Sequence, residues 1–275
     1  MTFQIKLVEL GKLHIHEEII PELLGSMVDE IKSSGMLRHP IIADVNNLVV
    51  LDGMHRVAAL KKIKCRYVPA CLVDYDSPNV KVGCWYRTVS GKASTNASLN
   101  LLRQLKIKLD KASIAEVKRA LEDRKAVAAI LSKKDCHTIF AKASGIREAY
   151  AWVGRIEKNF ANSGLNVSYE TERDAEENVE SGEATAVLMT PRATKEEVLE
   201  AALSGKLFAH KTTRHTVPTR PMCVDVPLEW LKGDLPIKEC NRMLVKQLKK
   251  RELQRLPPGS TFERRRYDEE LLVFK

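Results

Sequence analysis

Apolar and polar positions follow two rhythms along this chain, one of two residues and one near 3.6, and the switches between them mark its elements. Residues 5–10 form a short strand candidate. From Pro21, an acceptable first helical residue, Leu24, Met27, Val28 and Ile31 recur at helical spacing, and Gly35 supplies a stop. The apolar, β-branched stretches Pro40–Ala43 and Leu48–Leu51 flank Asn46-Asn47, which predicts a hairpin. A second helix is expected after Asp52-Gly53, carrying Val57, Ala58, Leu60 and Ile63, and a strand from Tyr67 to Val73. Residues 75–110 have no clear period, and Ser, Gly and Asn concentrate at 90–100, where a domain boundary or long active-site loop is expected. Beyond them the pattern predicts helices at 113–132, 146–160, 172–181 and 194–203, with strands at 136–141, 166–170 and 185–189. Pro257-Pro258-Gly259 breaks the chain before a last short strand, Leu271 to Phe274. Strands alternating with helices imply an α/β (α+β) layer architecture.

With 275 residues, two domains of ordinary size are expected. Their segments are 1–75, a connecting or active-site segment 76–110, and a second α/β domain 111–275. The balance of 44% hydrophobic and 29% charged residues fits a globular chain, and no apolar run approaches the roughly 18 residues of a membrane helix. The N-terminus lacks the apolar stretch of a signal peptide, so a cytoplasmic location is expected. Six cysteines, at 65, 71, 84, 136, 223 and 240, form no CxxC pair and read as scattered reduced thiols, with a disulfide the lesser alternative.

A formal charge of +9 favours anionic partners, either nucleic acid or phosphorylated metabolites. Much of it comes from Lys246-Gln247-Leu248-Lys249-Lys250-Arg251 and Arg264-Arg265-Arg266. Apolar or acidic residues interrupt these runs, which read as solvated faces, and only 5% of residues are the aromatics that stack on single strands. Charge alone does not choose the partner.

Candidate chemistry lies first in Leu51-Asp52-Gly53-Met54-His55-Arg56. Here a buried strand ends, a glycine permits a tight turn, and a helix begins with its free amides facing outwards, a geometry that attracts phosphate. His55 and Arg56 add donors, and Asp52 adds an acceptor for a hydroxyl or a metal such as Mg²⁺. The plainer alternative is that Asp52 caps the helix and Arg56 pairs with a surface carboxylate. A second cluster, Phe208 to Pro221, packs two Arg, two His, one Lys and four Thr hydroxyls into 14 positions. Such a loop suits recognition of carboxylate or phosphate, although a polar surface loop has the same composition.

The order of elements over residues 3–75, with Arg38-His39-Pro40-Ile41 before the hairpin and the D-G-x-H-R turn after it, resembles the ParB/sulfiredoxin superfamily. Within it, D-G-x-H-R together with His16-Glu17 and the later T-R-H-x-x-P-x-R-P is similar to the free L-serine kinases. That resemblance implies phosphorylation of free L-serine to O-phospho-L-serine by ADP or ATP with Mg²⁺, feeding cysteine biosynthesis, in a cleft between the domains. It implies Glu17 as the base, with Glu18 its neighbour if the alignment slips by one, and Asp52 beside it as a catalytic group or metal ligand. Gly53, Met54, His55, Arg56, Arg38 and His39 would bind nucleotide, while Thr213, Arg214 and His215 would hold serine. Arg220 is expected to be structural or to support the residues that meet ligand, and Trp85, Ser90 and Ser94 are further pocket candidates.

A partition-type DNA-binding regulator is the competing expectation, and a nucleotide sensor without turnover is another. The regulator normally needs a helix-turn-helix, and the predicted helices 113–132 and 146–160 are separated by a strand instead. Sulfiredoxin chemistry requires a cysteine at the phosphate turn, and residues 52–56 contain none.

Overall fold

A computed structural model describes residues 3–91, 95–263 and 265–275. The chain forms two compact units. Unit 1 comprises Met1–Lys81, Lys195–Leu207 and His215–Lys275, and unit 2 comprises Val82–Thr194 and Phe208–Arg214. The sequence-based division gave residues 111–275 to one domain, whereas here residues 215–275 fold with the N-terminal segment.

The sheet of unit 1 has the order Phe3–Glu9, Tyr67–Val73, Ile41–Asp44, Val50–Asp52. Strand Tyr67–Val73 is buried at all seven positions, because the helices Pro21–Ser34 and Met54–Lys62 contribute to the same core as the sheet. Gly35 ends the first of these helices in a left-handed conformation, as its position in the sequence predicts. The C-terminal part attaches through a specific contact. Strand Phe3–Glu9 is an edge strand, and the Asn241 amide on helix Ile237–Leu248 satisfies both Leu7 backbone groups, accepting from its N–H at 2.7 Å and donating to its carbonyl at 3.2 Å. Strands Thr219–Met222, Glu270–Phe274 and Leu253–Leu256 form a separate three-stranded sheet.

Unit 2 is a six-stranded sheet in the order Asn166–Glu170, Tyr86–Ser90, Ala186–Met189, Ala128–Ser132, Cys136–Phe140, Lys108–Lys111, with every pairing antiparallel. The helix predicted over 113–132 is corrected by this sheet. Helix Ile114–Glu122 carries a Ser113–Glu116 capping box and stops at Asp123, and Arg124 follows in a left-handed conformation. Residues 128–132, buried throughout, become a central strand. Strands Ala128–Ser132 and Cys136–Phe140 therefore lie between helices Ile114–Glu122 and Ile146–Asn162, and the two helices form no helix-turn-helix. Among the described residues, no helix is long and apolar enough to cross a membrane. All six cysteines are free and buried.

Candidate phosphate and acceptor site

The D-G-M-H-R turn joins the end of strand Val50–Asp52 to the start of helix Met54–Lys62. Gly53 is the N-cap, with φ of 97° and no side-chain cap. A Cβ there would lie 2.8 Å from Ile41 Cγ2 and 2.9 Å from the Arg56 guanidinium, so conformation and space both demand glycine. Asp52 therefore does not cap the helix. Its Oδ2 instead accepts from Arg56 Nη2 at 2.9 Å and Arg220 Nη1 at 2.7 Å. Arg220 is itself held by the buried Glu269 at 2.5 Å and donates to the His215 carbonyl at 3.1 Å. Burial acts to raise the Asp52 carboxyl, but Arg220, Arg56 and Arg265 outweigh it and hold the group ionised, below the usual carboxylate range. Arg220, expected to be structural or to support the residues that meet ligand, touches the acid of the turn directly.

The segment bearing Glu17 is laced to the strand before this turn at two points and to the turn itself at one. His14 bridges Val49 through its backbone, the His16 Nδ1–H donates to the Val50 carbonyl at 2.8 Å, and the Ile20 N–H donates to His55 Nε2 at 3.0 Å. A backbone N–H can only donate, so neutral His55 carries its proton on Nδ1. Burial pushes His16 down to about 4, against the Val50 bond and the Asp52 charge, and His16 is a neutral ring at pH 7. Glu17 is buried while Glu18 is exposed.

Arg38 and His39 line a cavity of about 790 Å³ together with Arg56, Met27, Leu37 and Phe262. The Arg56 Nη1 group donates to the carbonyls of His39, at 3.2 Å, and Pro40. His39, Cys223 and Glu263 bring potential ligand atoms within 4.8 Å of one another. This is a poor cation site, because His39 Nδ1 accepts from the Cys223 N–H, so the ring's proton sits on the Nε2 that would have to ligate. The Arg38 guanidinium, 2.8 Å from Glu263, is already present there.

Of the predicted acceptor residues, His215 belongs to unit 1. It lies edge-on to His16 with ring centres 5.4 Å apart and makes a 2.8 Å bond to the Tyr75 hydroxyl. Thr213 and Arg214 belong to unit 2 and are also buried. There the Thr213 carbonyl accepts from Trp85 Nε1 at 2.9 Å, and the Arg214 guanidinium lies 6.0 Å from the Trp85 ring centre. Ser90 ends a strand opposite Asn166, while Ser94 and the basic residue Arg264 lie outside the described residues. Tyr75 and Glu269 were missed by sequence reasoning, since neither belongs to a motif.

No protein-family model matches the chain. It is 29% identical to an ATP-dependent L-serine kinase of Staphylothermus marinus over 82% of its own length and 90% of the relative's. It is also 29% identical to an ADP-dependent L-serine kinase of Thermococcus kodakarensis, over 82% and 91%. Among solved structures, a glutamate-to-alanine variant of a free serine kinase in complex with AMP superposes with a TM-score of 0.69 at 26% identity, covering 84% of this chain and 95% of that one.

Proposed function

We propose that this chain is a member of the free L-serine kinase family of the ParB/sulfiredoxin superfamily and transfers a phosphoryl group from ADP or ATP to free L-serine. The observation that carries this is the lacing of the Glu17 segment to the D-G-M-H-R turn through Ile20 and His55. It ties the segment that carries the buried Glu17 to a helix start suited to phosphate. Glu17 takes the proton from the serine hydroxyl as that oxygen attacks the terminal phosphorus. The bond from phosphorus to its bridging oxygen breaks, and AMP or ADP leaves. The amides after Gly53, with His55, Arg56, Arg38 and His39, hold the phosphates, and Met54 starts the helix on the core. Positioning and charge neutralisation supply most of the acceleration. The burial of Glu17, set against the exposure of Glu18, supports Glu17 as the base. Thr213, Arg214 and His215 are assigned to serine recognition.

For Mg²⁺ the protein residues alone do not fit a metal cage. Asp52 Oδ2 is taken by two guanidinium groups, so we assign Asp52 to orienting Arg56 rather than to ligation. A magnesium ion in phosphoryl transfer is held largely by nucleotide phosphates and water. Residues 1–75 are the proposed nucleotide-phosphate part. Six free thiols suit a reducing, cytoplasmic setting, and O-phosphoserine is a reasonable feed for cysteine biosynthesis.

The test is phosphoserine formation by purified protein from L-serine, L-threonine or L-homoserine with ADP and with ATP. The relatives at 29% identity divide between the two donors, and the assay distinguishes them. Serine should be the preferred acceptor, and Glu17→Gln should lower kcat at least about a hundredfold while nucleotide still binds. Failure to form phosphoserine with either donor overturns the proposal.

A further inference from the structure

The carboxylate of Glu263 spans two donors on consecutive residues. One oxygen meets Arg38 Nη2 at 2.8 Å, and the other meets His39 Nε2 at 3.0 Å. Because His39 Nδ1 accepts from the Cys223 backbone N–H at 3.1 Å, the neutral ring must present Nε2–H as a donor. Burial keeps this ring neutral, lowering its affinity for a second proton despite the pull of Glu263. A guanidinium and an imidazole N–H side by side make a clamp for an oxyanion, and the chain fills it with its own carboxylate. Glu263 reaches the clamp from the turn between the short strands Thr261–Phe262 and Arg265–Arg266, with φ of 49°, a left-handed conformation that glutamate seldom adopts. The neighbouring Phe262 packs edge-on against His39 at 6.4 Å and lines the same cavity as Arg38, His39 and Arg56.

From this we propose that Arg38 and His39 form an anion subsite in which Glu263 stands in for a phosphate of the nucleotide, so that the donor binds only by displacing this carboxylate. The assignment rests on the nucleotide role proposed above for Arg38 and His39. Displacement is feasible because the side chains of Arg38 and Glu263 are 56% and 41% exposed, and exposed ion pairs are weak. Glu263 therefore sets how tightly donor is held, and its movement couples strands Thr261–Phe262 and Arg265–Arg266 to nucleotide occupancy.

The experiment compares wild type, Glu263→Gln and Glu263→Asp by calorimetric titration with ADP, ATP and inorganic pyrophosphate at fixed ionic strength. Glu263→Gln removes the competing charge and should bind all three about fivefold more tightly, with the same factor appearing in the KM for nucleotide and not in that for serine. Glu263→Asp, which keeps the charge, should stay within about twofold of wild type. Unchanged or weaker binding by Glu263→Gln, with or without a lowered Tm, overturns the subsite and leaves the kinase proposal standing. Tighter pyrophosphate binding by Glu263→Gln, in a protein that forms no phosphoserine with either donor, upholds the subsite and removes the kinase.

Discussion

Each unit buries an arginine against a glutamate, yet the two pairs end differently. In unit 2, Arg87 is 2% exposed, pairs with Glu157, and lies between Tyr150 and Tyr169 with its guanidinium 5.3 and 5.2 Å from their ring centres. A further donor goes to the Lys211 carbonyl at 3.2 Å. In unit 1, Arg220 pairs with Glu269 and then passes a donor to Asp52, whose side chain is one-third exposed and which also holds Arg56. Arg87 spends its hydrogen-bonding capacity inside the core, whereas the Arg220 chain ends at groups that solvent reaches. A buried ion pair by itself says little about function, and what distinguishes a site is charge handed on to an accessible group.

The largest effect expected from breaking this comparison is on stability in unit 2. Arg87→Leu leaves Glu157 without its cationic partner and should cost about 3–5 kcal/mol in urea unfolding. Asp52→Asn, which removes the accessible end of the other chain, should lower phosphoserine formation about a hundredfold while costing less stability than Arg87→Leu. Acid sharpens the contrast next. His16 has an ordinary value of 6.5 and lies at about 4 when folded, so between those values only the unfolded chain binds this proton. Stability should therefore fall on acidification from about pH 6.5 to 4, by on the order of 2–3 kcal/mol, and Asp52 should add to the loss below that range. A Tm profile that stays flat across this window in wild type would refute the neutral buried ring, and His16→Gln should lessen the slope, leaving the part due to His215, which burial also lowers. Smallest of all, Glu176→Gln removes a partly exposed pair with Lys118 and should change stability by less than about 1 kcal/mol.

Local features of the site were legible in the sequence because local physics dictates them. The strand–glycine–helix junction at 51–56 needs Gly53 for both conformation and space, and its neighbours Asp52 and Arg56 pair across one helical turn. Long-range partners left no such trace. Glu269 sits in an acidic stretch, Asp268-Glu269-Glu270, that reads as surface, yet it is 4% exposed and holds Arg220. Tyr75 lies at the start of a segment without periodicity, and its bond to His215 spans 140 positions. The helix overextended to 132 failed for another reason: the run from Ala126 to Leu131 is apolar at every position, and such a run does not distinguish a buried strand from a buried helix.

The wide sequence separation within unit 1 also has a consequence for biosynthesis. Arg220 follows Asp52 by 168 positions, so a ribosome adding about 5–20 residues each second leaves the aspartate with Arg56 but without Arg220 for roughly 10–30 s. Over that interval all the strands of the six-stranded sheet emerge. Nascent chains stalled with residue 214 just outside the exit tunnel should resist protease across 82–194 while remaining open to cleavage around the D-G-M-H-R turn.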